Sequence, residues 1–84
     1  MIIASLIVKT IPEYAEDTAL KLSKLPNVST HGIYKGDNII VLIEAEKEEQ
    51  LEDFSKYIIN EFDGILGTYP TFVSSEDNLP ETMN

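Results

Sequence analysis

His31 is the single histidine in this 84-residue chain, and no cysteine accompanies it. Imidazole is the commonest general base and metal ligand near neutral pH. To act as a base it needs a nucleophile and an orienting carboxylate around it. Nothing near His31 in sequence supplies them, and a lone histidine on a half-exposed strand is usually structural. The serines lack the flanking glycines of a nucleophile elbow. Glu44-Ala45-Glu46 and Glu48-Glu49 stand where a helix opens, a place that favours negative charge without any catalytic duty. Gly32, Gly36, Gly64 and Gly67 are scattered, whereas a phosphate-cradling loop needs them together. Asp37-Asn38 is too short for an EF-hand. The absence of cysteine removes thiolate nucleophiles, thiolate metal sites and disulfides together. Tyr14, Tyr34, Tyr57 and Tyr69 are spread out, as core or rim residues are, and form no nucleotide-stacking platform. The residue types therefore point to no catalytic site, no metal and no cofactor. A binding protein is expected, not an enzyme.

The charge narrows the partner. Fifteen acids against 6 bases give a formal net charge of −9. Nucleic acids and anionic membranes are bound through lysine and arginine clusters, so both are expected to be repelled. A basic peptide would be attracted, although acids also serve simply to keep a small domain soluble. An apolar share of 43% suits a packed globule and argues against disorder. No apolar run approaches the roughly 20 residues that span a bilayer. The opening Met1-Ile2-Ile3-Ala4-Ser5 lacks the basic segment of a secretory signal, so the protein is expected to stay in the cytoplasm.

These residues must be positioned by a short series of elements. Residues 2–9, IIASLIVK, form an almost continuous apolar run, the pattern of a central strand. Thr10 offers a capping hydroxyl, and Pro12 suits the first turn of a helix. Ala15, Ala19, Leu22 and Leu25 then recur at helical spacing on one face. Pro26-Asn27 ends that helix. Residues 28–34 alternate weakly and read as an edge strand. Lys35-Gly36-Asp37-Asn38 is a turn in which glycine and asparagine accept positive φ. Residues 39–43, IIVLI, are the strongest strand signal in the chain. Leu51, Phe54, Ile58 and Phe62 mark a second helix over 46–62, closed by Asp63-Gly64. Residues 65–73 form a last strand, placed at a sheet edge by Pro70. The order is βαββαβ, and two central and two edge strands give a four-stranded antiparallel sheet of order 4-1-3-2. That is a ferredoxin-like α+β domain over residues 1–73, followed by an acidic tail at 74–84.

In this topology both helices cover one face of the sheet, and the chain has nothing to cover the other. Alternation along the strands, anchored by the polar Ser5, Lys9 and Glu44, assigns Ile3, Ser5, Ile7, Ile40, Leu42 and Glu44 to the open face. The same rule adds Ser29, His31 and Ile33 from the second strand. Contiguous exposed apolar surface of this kind marks an interaction site. Ferredoxin-like domains also dimerise through it, so a homodimer is a competing occupant. One such case is a dimeric small-molecule regulatory module of the ACT type.

The order of segments resembles the NapD family. Ser5-Leu6-Ile7-Val8 is similar to that family's serine-leucine-valine-valine opening strand. Leu25-Pro26-Asn27-Val28, leading into Thr30-His31, is similar to its leucine-proline-glycine-valine turn before a strand with a histidine. Ile39 to Glu44 with Ala45-Glu46 resembles its apolar strand ending in glutamate, and Asp63-Gly64-Ile65-Leu66 resembles the start of its final strand. The likeness runs over about residues 4–77. Departures are Asn27 at a place usually held by glycine, and Pro70 with Thr71-Phe72-Val73 where the family has valine-tyrosine-histidine. The resemblance implies a cytoplasmic chaperone. It would bind the twin-arginine signal peptide of the periplasmic nitrate reductase catalytic subunit and delay export until the molybdenum cofactor is inserted. On that view the open face, with Ile3, Ser5, Ile7, His31, Ile33, Ile40, Leu42 and Glu44, would take the peptide. Carboxylates such as Glu44, Glu46 and Asp77 would meet its arginines.

Overall fold

A computed structural model of the protein describes residues 1–75. Asp77 and the tail at 76–84 lie outside the described residues. The elements follow the expected order: β1 (Ile2–Thr10), a 3-10 turn at Pro12–Tyr14, α1 (Ala15–Ser23), β2 (Val28–Tyr34), β3 (Asn38–Ala45), α2 (Glu48–Glu61) and β4 (Ile65–Ser75). The sheet is antiparallel with order β2-β3-β1-β4, the ferredoxin-like arrangement. β4 runs to Ser75, two positions beyond its expected end, because Ser74 and Ser75 still pair with Ile3 and Ile2.

β1 and β3 are almost continuously apolar, yet their burial alternates. Ala4, Leu6 and Val8 on β1 and Ile39, Val41 and Ile43 on β3 join Leu22 of α1 and Ile58 of α2 in one core. Ile3, Ile7, Ile40 and Leu42, on the opposite face, keep contact with solvent. Both helices pack on the same side, so only that side becomes dry.

Local chemistry explains the joints. Thr10 does not cap a helix. Its backbone N–H donates to Asp37 O at 2.9 Å, and its buried hydroxyl has no partner among the described residues. Pro12 does open the turn before α1, with Ile11 preceding it. Asn27, after Pro26 in the turn into β2, adopts φ 65°, a conformation that glycine and asparagine accept most readily. At the β2–β3 turn the positive φ values belong to Lys35 (56°) and Gly36 (84°), while Asn38 already starts β3. The N-terminus of α2 is satisfied by Gln50, whose Oε1 accepts from the N–H of Glu46 at 2.7 Å and of Lys47 at 3.3 Å.

Gly64 turns the chain from α2 into β4 with φ 85°, and a Cβ there would sit 2.6 Å from Tyr14 Cγ. A left-handed non-glycine residue costs about 1–2 kcal/mol before any clash. Gly64→Ala is therefore expected to lower stability by about 2 kcal/mol or more. Thermal denaturation would show it as a fall of roughly 10 °C in Tm.

Candidate functional site

Directly opposed residues in antiparallel strands share a face, so the register of the sheet lays out its open side as rows. Ser29, Leu42, Ser5 and Phe72 form one row across β2, β3, β1 and β4. His31 with Gly32, Ile40, Ile7 and Tyr69 form the next. Tyr34, Asn38, Lys9 and Gly67 close the end nearest the β2–β3 turn. At the other end Glu44 and Ser74 flank Ile3. Leu42, Phe72, Ile40, Ile7 and Tyr69 make an apolar belt through the middle, interrupted by Ser29, Ser5 and His31, and the charged Lys9 and Glu44 stand at the ends.

Eight of the nine residues expected on this face lie there. Ile33 does not. The pairing of β2 with β3 shifts between Thr30 and Ile33, so that Ile33 stands opposite Ile39, a core residue. Two residues, His31 and Gly32, oppose Ile40 alone, and Gly32 takes φ 110°. Such a bulge advances the alternation by one, which moves Ile33 to the helix side, where it is 37% exposed. His31 remains with Ser29, its Nε2 2.9 Å from Ser29 Oγ.

Alternation alone did not assign the aromatic residues of the face. Tyr69 and Phe72 are 53% and 54% exposed and extend the apolar belt onto β4. A bulge at Thr71 allows both to face the same way, and Thr71 Oγ1 donates to Ser5 O at 3.0 Å. Gly67 has no side chain where the Tyr69 hydroxyl lies back toward it; a Cβ there would be 2.8 Å from that oxygen. Tyr34 joins the face at the opposite edge through the β2 bulge.

The ends carry the charge. Lys9 Nζ lies 2.9 Å from Asp37 Oδ2. At the Glu44 end a hollow of about 370 Å³ is lined by Ile3, Asn27, Val28, Ser29, Leu42 and Glu44, and Asn27 O accepts the N–H of Glu44 at 3.0 Å. Among the described residues no three histidine, aspartate or glutamate side chains converge as metal ligands. No helix there is long and apolar enough to cross a membrane.

The model of one protein family, NapD protein, matches residues 1–77. The chain belongs to the NapD family. Its structure is similar to the solution structure of the E. coli Tat proofreading chaperone protein NapD, with a TM-score of 0.69 and 23% identity over 98% of this chain and 86% of that one. A crystal structure of a hypothetical protein from Pyrococcus horikoshii is also similar, with a TM-score of 0.73 and 21% identity over 89% of this chain and 90% of that one. At such identities the two structures speak for the fold. Among curated protein sequences none matches this chain. Among the described residues, the open sheet of this NapD-family protein is a face that neither helix covers.

Proposed function

We propose that this chain is a cytoplasmic chaperone that binds the twin-arginine signal peptide of a periplasmic nitrate reductase catalytic subunit. Binding holds back export until the molybdenum cofactor has been inserted. The role is binding, with no catalysis and no cofactor of its own. The observation that carries the reading is the apolar face left uncovered among the described residues, bounded by the exposed Glu44, on a chain of the NapD family. The similar E. coli protein is a Tat proofreading chaperone, which supports it.

The face suits the peptide physically. Four strands spaced about 4.8 Å apart give a surface roughly 14 Å wide, enough for one helix about 10 Å across. An apolar stretch laid on Ile7, Ile40, Leu42, Tyr69 and Phe72 would leave water on both sides, and the net charge of −9 draws in a basic segment. Helix-in-groove recognition of this kind takes its affinity from apolar anchors.

Calorimetric titration with a synthetic twin-arginine peptide, beside a double-lysine control, tests the reading. Micromolar or tighter binding is expected, weaker with lysines and weaker again as salt rises, because exposed charges are screened within about 10 Å at 0.1 M. A folded protein that ignores the peptide would sink the proposal. A stable dimer burying the same face around a bound amino acid would replace it with the regulatory module.

A further inference from the structure

The charges at the two ends of the open face are not equivalent. At the turn end, Asp37 Oδ2 is held by Lys9 at 2.9 Å and Asp37 Oδ1 accepts from Asn38 Nδ2 at 2.8 Å. Both carboxylate oxygens are committed. Lys35 Nζ stands 5.4 Å from the centre of the Tyr34 ring at the same end, so two ammonium groups guard it. At the other end Glu44 is exposed, and among the described residues it takes part in neither ion pair. A cation arriving on the face meets repulsion at one end and an uncommitted carboxylate at the other.

Glu44 also stands between two hollows. The larger, of about 370 Å³, has Ile3 and Leu42 as apolar walls; the smaller, of about 180 Å³, reaches Glu46 and Gln50; Glu44 and Asn27 border both. An arginine needs an apolar wall for its methylene stem and a carboxylate for its planar fork. The larger hollow offers both within one corner. Glu46, a second acidic residue, borders the smaller one. The Met1 residue borders the smaller hollow, yet among the described residues its amino group pairs with neither glutamate.

Resting on the chaperone reading, we infer that the peptide docks in one direction only. Its two adjacent guanidinium groups enter the hollows on either side of Glu44, and its apolar stretch runs over Leu42, Ile40 and Ile7 toward Tyr69. Glu44 is then the residue that distinguishes arginine from lysine, since a point-like ammonium cannot make the paired bonds a guanidinium makes.

The test uses the full chain and two synthetic peptides, one with Arg-Arg ahead of an apolar stretch and one with Lys-Lys. Wild type should favour arginine by about tenfold, the order expected for one charge-assisted bidentate contact. Glu44→Gln should weaken the arginine peptide by about tenfold and bring the two peptides within about twofold. Glu49→Gln makes the same change in net charge on α2, behind the sheet, and should leave the preference intact. A nitroxide at the arginine end should broaden the amide signals of Ile3 and Ser29, and one at the apolar end those of Gly67 and Tyr69. The reverse pattern, or an undiminished preference in Glu44→Gln, would overturn the direction while leaving the chaperone reading standing. Failure of wild type to bind either peptide would remove both.

Discussion

Leu42→Asp is expected to abolish peptide binding, by more than about a hundredfold, in a protein that remains folded. Leu42 sits in the middle row of the open face between Ser29 and Ser5 and lines the hollow beside Glu44. In the free protein it is half-buried, so an aspartate there keeps its water and the core on the far side is untouched. Under a docked peptide the position is covered. The complex then loses the burial of a leucine, about 1.5–3 kcal/mol, and must desolvate a carboxylate, which costs several kcal/mol more. Either part exceeds the 1.4 kcal/mol that changes affinity tenfold. Leu20→Asp is the control: Leu20 is 57% exposed on α1, behind the sheet, and its replacement adds the same charge without touching the face. Calorimetry and a circular dichroism spectrum separate the outcomes. Binding by a folded Leu42→Asp protein at wild-type strength would show that the open sheet is not the docking surface.

The strands that carry this face were legible because their patterns are regular. β1 and β3 are near-continuous apolar runs that pair without a bulge, so period-two counting holds along both, and Ser5, Lys9 and Glu44 mark which side is wet. The two helices announce themselves through leucine, phenylalanine and isoleucine at helical spacing, and the edge position of β4 follows from Pro70. Irregular strands were less readable. Period-two counting along β2 carries Ile33 to the open face, and the bulge at His31-Gly32 reverses it. A glycine inside a strand is the available signal, since it often marks a bulge, but it does not say how many residues the partner strand skips. On β4, Tyr69 and Phe72 are three apart, which in a regular strand would put them on opposite faces. Only the unpaired Thr71, with its hydroxyl on Ser5 O, brings both rings to the same side. Such a shift depends on pairing with β1, a contact between residues far apart in sequence, and local pattern cannot contain it. Asn27 shows the reverse case. Its departure from the glycine usual in the family is small once φ 65° is known, because asparagine is the side chain that tolerates that conformation best after glycine.

Leu22→Ala should produce the opposite phenotype from Leu42→Asp, and the pair together test whether the two faces of the sheet have separate duties. Leu22 has 0% exposure and is the large side chain by which the short α1 is held to the core with Leu6, Val8 and Ile58. A nine-residue helix is too short to persist alone in water, so its packing must hold it. Truncating a fully buried leucine costs about 2–5 kcal/mol, against a total stability on the order of 5 kcal/mol for a domain of this size. Tm should fall by at least about 10 °C, whereas Leu20→Ala, on the exposed side of the same helix, should stay within about 0.5 kcal/mol of wild type. Below its new Tm the Leu22→Ala protein still presents Ile3, Ile7, Ile40 and Leu42 on the open face, so its peptide affinity should be unchanged. Peptide at a hundred times its Kd should also restore about 2.7 kcal/mol through binding to the folded state alone. Leu42→Asp should keep its Tm and gain nothing from peptide. A Leu22→Ala protein whose affinity collapsed while it was still folded would mean that the helix layer shapes the open face directly, and the face would no longer be a rigid platform that the core merely supports.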